Sequence, residues 1–101
     1  MRFEWDDEKR LANVEKHGVD FNDAPKLFTG LFLILEDVRQ DYGEQRFIAF
    51  GHVDKRLMVI AFTKRIGVVR IISMRKANER EQKKFKNAIA DRLATDRFHE
   101  G

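Results

Sequence analysis

Nine lysines and arginines but only two carboxylates fall within residues 63–86: Lys64, Arg65, Arg70, Arg75, Lys76, Arg80, Lys83, Lys84 and Lys86. The densest part is "RIISMRKANERE" (residues 70–81), where a strand-like run hands over to a helix. Arginine is costly to bury at a strand end and is useful there when something anionic sits opposite it. A guanidinium is permanently charged and forks onto two oxygens of one phosphate. Cations so clustered release condensed counterions when they meet a phosphate chain, so the block points to a phosphate-rich partner. A run of charge confined to one helix would read equally well as a solvated face. Here the charge also sits on strand residues, which favours function.

The rest of the chain sharpens the contrast. Residues 1–50 carry 7 basic and 11 acidic side chains, and residues 51–101 carry 13 and 6. There is no cysteine, which excludes disulfides and thiolate metal sites and fits a reducing compartment. The histidines stand at 17, 52 and 99 with no i,i+4 pairing, so a zinc site is not expected. Histidine changes charge near neutral pH, which makes His17 a candidate proton carrier. Its plainer role is to meet the last carbonyls of a helix that stops at Gly18. Glu81 could act as a base, but its spacing from Asn78 favours a capping box. Lys84 could act as an acid were its pKa lowered by neighbouring cations. Trp5 could stack on a base, although a core position beside the first strand suits it better.

These residues need a scaffold. "FEW" (3–5) reads as a strand, followed by a helix capped by Asp6, with Leu11, Val14 and Ala12 as its apolar stripe. A short second helix begins near residue 23, capped by Asn22 so that Pro25 falls in the tolerated first turn. Strands follow at 31–37, 45–53, 56–64 and 68–75, and a last helix runs from 79 to the mid-90s. Asn78 and Glu81 cap it, and Phe85, Ala88, Ile89 and Leu93 form its buried stripe. The order predicts an α+β domain over residues 1–101, helices packed on one mainly antiparallel sheet. The N-terminus has no apolar leader, and the runs "LFLIL" and "LMVIAF" are too short to span a bilayer. If Ile66-Gly67 is a two-residue turn, Thr63, Arg65 and Arg70 share a face, while Lys64 and Arg75 point to the other. A bulge or a three-residue loop would reverse that.

"FEWDDEKRLANVEKHGVDF" (3–21), "YGEQRFIAFG" (42–51) and "RIISMRKANERE" (70–81) together resemble the BrnT family of bacterial toxins. The resemblance covers nearly the whole chain, in the family's order and spacing. It implies a RelE-like fold with two N-terminal helices and a C-terminal helix on a four- to five-stranded sheet. It also implies a cytoplasmic endoribonuclease toxin of a type II toxin–antitoxin pair that inhibits translation. The implied partner is a BrnA-type ribbon–helix–helix antitoxin, and together the two would bind DNA and repress their own operon.

The same resemblance places functional positions. Lys16 and His17 match its KHG element, Glu44 and Arg46 its GE.R element, and Arg56 a basic residue ahead of a strand. Arg65 matches a T.R element, and Arg70, Arg75 and Lys76 match RIIS.RKA. Arg65 and Arg75, with His17, are the implied catalytic residues. Lys64, Arg70, Lys76, Arg80 and Lys84 are the implied RNA contacts. Met74 replaces a usual alanine, a packing change, and Phe85 stands where tyrosine is common, so no phenolic hydroxyl is available there. RelE-like ribonucleases need no metal or other cofactor, because the 2′-hydroxyl of the substrate attacks the adjacent phosphodiester. The protein aligns the ribose, neutralises charge on the phosphorane and moves two protons. The alternative is a non-catalytic nucleic-acid-binding module, which explains the basic block but no particular arginine. A third reading is a small protein whose basic face meets an acidic partner.

Overall fold

Local capping chemistry sets the first helix. In the computed structural model, which describes residues 1–99 and the side chains through Leu93, β1 (Arg2–Glu4) leads into α1 (Asp7–His17). Asp6 Oδ1 accepts from the backbone N–H of Glu8 at 2.9 Å and of Lys9 at 3.2 Å. Gly18 stops the helix at φ 70°, left-handed backbone that glycine adopts at little cost. The apolar stripe expected on α1 is not what docks it. Leu11 is 58% exposed and Val14 37%, while Asn13 is the buried residue of the helix.

Asn13 is buried because α1 packs against β5 (Val68–Lys76) and meets main chain there. β1 pairs in parallel with β5 only from Val68 to Arg70, so the rest of that edge lacks a strand partner. The Asn13 amide stands in for one. Its Nδ2 donates to the Met74 carbonyl at 2.7 Å and to the Val19 carbonyl at 3.1 Å, and its Oδ1 accepts from the Met74 N–H at 3.2 Å. Three buried backbone groups are thereby satisfied.

The second helical segment differs from expectation in its cap. Asp20, not Asn22, supplies the side chain, accepting from Asn22 N at 2.9 Å to start a 3₁₀ turn, Phe21–Asp23. The α-helix proper, α2 (Ala24–Leu27), restarts one step later, leaving Pro25 in its first turn, where no intrahelical N–H is required. Both pieces exist to deliver Phe21, Ala24 and Leu27, each 0% exposed, to the sheet. Leu27 lies so close to β3 (Phe47–Val53) that a Cβ on Gly51 would stand 2.7 Å from Leu27 Cγ.

The sheet has five strands in the order β1-β5-β4-β3-β2, with β2 at Phe32–Glu36 and β4 at Arg56–Arg65. It is mixed rather than mainly antiparallel, since β1 joins β5 in parallel. That edge strand could not be oriented from its three residues. One face carries the main core, in which Phe62 stacks on Phe47 at 5.5 Å and meets Phe28 edge-on at 5.9 Å. Trp5 packs on Phe21 at 6.3 Å, so it serves the core. Met74, also 0% exposed, fills this layer, in keeping with a packing change. The other face is covered at one end by α3 (Glu79–His99), where Phe85 meets Leu57, Val59 and Ala77, with Ile89 beside them. Leu93, placed on the buried stripe by its spacing, is 50% exposed.

An arginine-lined candidate active site

The Ile66-Gly67 connection is a two-residue turn, with Arg65 opposite Val68 and Thr63 opposite Arg70. The register then shifts. Phe62 pairs with Ile71, but Ala61 pairs with Ser73, leaving Ile72 as an extra residue. This β-bulge brings Arg75 opposite Val59 rather than Met58, on the same face as Thr63, Arg65 and Arg70. The regular hairpin would have put Arg75 on the far face. Lys64 does point there, its Nζ 5.4 Å from the centre of the Phe47 ring.

The face so formed is the part of the sheet beyond α3, with half-buried Ile48, Ala61 and Ser73 as its floor. Arg65 is exposed and makes no ion pair among the described residues. Arg70 meets Glu4 at 3.3 Å. With a rise of about 3.3 Å per residue, Arg70 and Arg75 stand roughly 13 Å apart along the sheet, and Arg65 and Arg75 roughly 20 Å. The structure therefore brings Arg65 and Arg70 together as diagonal neighbours and sets Arg75 apart.

Arg75 is the most constrained of the three. Its Nη1 donates to Glu81 Oε1 at 2.7 Å and its Nη2 to Glu81 Oε2 at 2.8 Å, a bidentate pair. Nη1 also reaches the Lys76 carbonyl at 3.3 Å. Glu81 is fixed in turn by its capping box, accepting from Asn78 N at 3.0 Å while Asn78 Oδ1 accepts from Glu81 N at 2.8 Å. Three of the five guanidinium N–H groups are thus engaged, leaving Nε–H and one Nη2–H, which lie on the same side of the group. That pair has the geometry to fork onto two oxygens of an anion while Glu81 keeps its hold.

The hydrogen bonds from Arg75 hold the Glu81 carboxyl down at about 2, against an ordinary 4.5. A group at 2 is too weak a base to accept a proton from a hydroxyl near neutral pH. The same bonds raise the pKa of Arg75, with burial and the charge of Arg39 working against them. Because Glu81 binds its proton less tightly folded than unfolded, its contribution to stability is complete above pH 4.5 and is lost as the pH falls towards 2. Glu81→Gln should therefore flatten the acid limb of the stability profile across that window. Urea midpoints for both proteins at several pH values check this, and parallel profiles would contradict the pairing.

Two arginines of this face carry weaker sequence signals. Arg39 forks onto the buried Asp37 at 2.8 Å through both Nε and Nη2, and Tyr42 donates to the same carboxylate at 2.9 Å. Asp37 is held far below the usual carboxylate range by Arg39. Arg46 lies with its guanidinium 4.1 Å from the centre of the Tyr42 ring and 3.9 Å from Glu44. Arg46 was within reach through the GE.R spacing. Arg39 was not, because its place depends on how residues 37–46 fold around Asp37.

The remaining candidates scatter. Lys84 sits beside Glu81 over a cleft floored by Leu33, Leu35 and Phe50. Arg80 is exposed on the first turn of α3, and Lys76 lines a groove on the other side of that helix. His17 ends α1, half-buried, and forms no hydrogen bond or ion pair with any of the arginines. His52 meets the Phe85 ring edge-on at 5.6 Å, while the side chain of His99 lies outside the described residues. No three of His, Asp and Glu cluster as metal ligands among the described residues, and no described helix is long and apolar enough to cross a membrane.

A family model described as "Ribonuclease toxin, BrnT, of type II toxin-antitoxin system" matches residues 5–81. No curated protein matches the chain.

Proposed function

The chain belongs to the BrnT family of ribonuclease toxins of type II toxin–antitoxin systems, and on that premise we propose that it is a RelE-like, metal-independent endoribonuclease that cuts RNA on the arginine-lined sheet face. The observation that supports this placement best is the bulge at Ile72, which turns Arg75 onto the face already holding Arg65 and Arg70. Bulges re-aim side chains beside active sites, and this one does so for the residue with a free guanidinium fork.

In this reading the 2′-hydroxyl of a nucleotide lying over Ser73 and Ala61 loses its proton and attacks its own 3′-phosphate. The bond to the 5′-oxygen of the next nucleotide breaks, that oxygen takes up a proton, and a 2′,3′-cyclic phosphate is left. Arg75, held in place by Glu81, forks through Nε and Nη2 onto two non-bridging oxygens as charge develops on them. Arg70 and Arg65 hold phosphates further along the chain, with Arg39 and Arg46 lining the far side of the face. His17 is the proposed proton carrier, since Glu81 is too acidic for that role. The toxin acts in the cytoplasm, and a BrnA-type ribbon–helix–helix antitoxin silences it by covering the basic face.

Purified protein is expected to cut single-stranded RNA in the presence of EDTA and to leave DNA of the same sequence intact, because only RNA carries the attacking hydroxyl. Gel analysis of both substrates decides it. Activity lost in chelator and restored by magnesium would rule out the mechanism. Binding without cleavage would favour the non-catalytic reading.

A further inference from the structure

The arginines of the open face are largely compensated: Arg39 by Asp37, Arg46 by Glu44, Arg70 by Glu4 and Arg75 by Glu81. Arg65 alone of these face arginines has no ion pair among the described residues, and a larger group of unpaired cations lies elsewhere. On the other side of α3, between that helix and the β3–β4 hairpin, runs a groove of about 580 Å³. Leu57 and Phe85 form its floor, and Lys55, Arg56, Lys76 and Lys86 stand around it. None of these four cations is in an ion pair among the described residues, and no carboxylate lines the groove. Four uncompensated cations repel one another and are retained at some cost in stability.

The backbone builds this arrangement. The two-residue loop Asp54-Lys55 has both residues at positive φ, 49° and 72°, the geometry that suits a tight hairpin. Lysine is an unusual residue for that conformation, where asparagine or glycine is easier. The turn nonetheless carries Lys55 at the groove's rim, with Arg56 next to it. Lys76 and Ala77 form the adjoining wall and directly follow Arg75, so the groove and the arginine face meet around the N-terminus of α3.

We infer that this groove is a second RNA-binding site, holding the phosphates of a single strand that leaves the arginine face past Arg75, with a base against His52 and the apolar floor. Flexible lysines around a floor of rings and aliphatic side chains suit a phosphate chain with stacked bases. The inference rests on the ribonuclease reading for the direction of the strand, but its test reads binding and does not depend on cleavage.

The test compares wild type with Lys55→Asn/Lys86→Gln and with a control, Lys9→Gln/Lys16→Gln, that removes equal charge from α1. The probe is a single-stranded oligoribonucleotide with 2′-deoxy substitutions, which cannot be cut. The groove variant should bind about tenfold more weakly, and its log–log salt slope should be shallower by about 1.4, two phosphate contacts fewer. The control should change both quantities much less. With cleavable RNA at saturation, the single-turnover rate should stay within about twofold of wild type, because neither lysine touches the arginine face. Equal losses in the two variants, or none, would overturn the inference. So would unchanged RNA binding with loss of binding to polyglutamate, which would make the groove a site for an acidic protein. Wild type that binds the probe but cuts no RNA would sink the ribonuclease reading and leave the groove standing.

Discussion

Arg75→Lys is expected to cut RNA roughly a hundred- to a thousandfold more slowly than wild type while binding it nearly as well, a loss of about 2.7–4 kcal/mol confined to the transition state. Lysine keeps the charge, so attraction to the ground-state phosphate survives. It has a single nitrogen, and that nitrogen has to choose between Glu81 and the substrate. Arg75 does not choose, because its Nη1 and Nη2 hold the two Glu81 oxygens at 2.7 and 2.8 Å and its other edge remains. A lysine drawn to Glu81 is withheld from the phosphate, and one drawn to the phosphate loses its anchor. Either way the stabilisation reserved for the phosphorane falls. Single-turnover cleavage beside a binding titration separates the two quantities, and circular dichroism checks the fold. Equal falls in rate and affinity would reduce Arg75 to a phosphate anchor. No change in either would move the role to Arg65 or Arg70, which stand together further along the sheet.

The face that carries this chemistry was half legible in the sequence. The turn at Ile66-Gly67 and the capping box of Asn78 and Glu81 are local, each decided by a few neighbouring residues; the capping box formed as expected, and of the connections left open at Ile66-Gly67 the two-residue turn formed. From them followed the shared face of Thr63, Arg65 and Arg70. The bulge is a different kind of feature. Ile72 is indistinguishable by type from Ile71, and which of them pairs is decided by how Met74 and Ile71 fit the core layer together. Arg75 follows that packing, so no reading of "RIISMRK" alone could orient it. The same limit applies to Arg39, which has no partner until Asp37 is buried and Tyr42 folds over it.

The first helix shows the converse, a sequence pattern that was clear and misleading. Leu11 and Val14 have helical spacing, and an apolar stripe of that kind usually marks the buried side. They are exposed because α1 does not sit on a carpet of side chains. It sits on the open edge of β5, where unpaired N–H and C=O groups must be met, and only a polar side chain can do so. The buried residues on that side of the helix are accordingly Asn13 and, in part, Arg10 and His17. Arg10 completes the docking through Asp20 at 3.0 Å. The N..KHG element thus reads first as the means by which a helix closes a sheet edge.

That reading makes a demanding prediction for Asn13→Leu. Leucine keeps the branching at Cγ and is the more apolar residue, so a simple core argument would expect the change to be tolerated or even stabilising. It removes three hydrogen bonds at once, leaving the Met74 N–H, the Met74 carbonyl and the Val19 carbonyl buried without partners. At about 1–3 kcal/mol for each buried group left unsatisfied, with some relief from water entering at the edge, the expected loss is about 3–5 kcal/mol. A domain of this size holds only about 5–15 kcal/mol in total, so the variant should melt at least about 12 °C lower than wild type. Its folded fraction should nevertheless cut RNA at the wild-type single-turnover rate when assayed in the cold, because Asn13 faces the edge of β5 and the arginines face the open sheet. Urea unfolding and low-temperature cleavage on the same preparation give both numbers. An unchanged melting point would refute the clamp, and a stable protein with a slowed rate would move Asn13 into the chemistry.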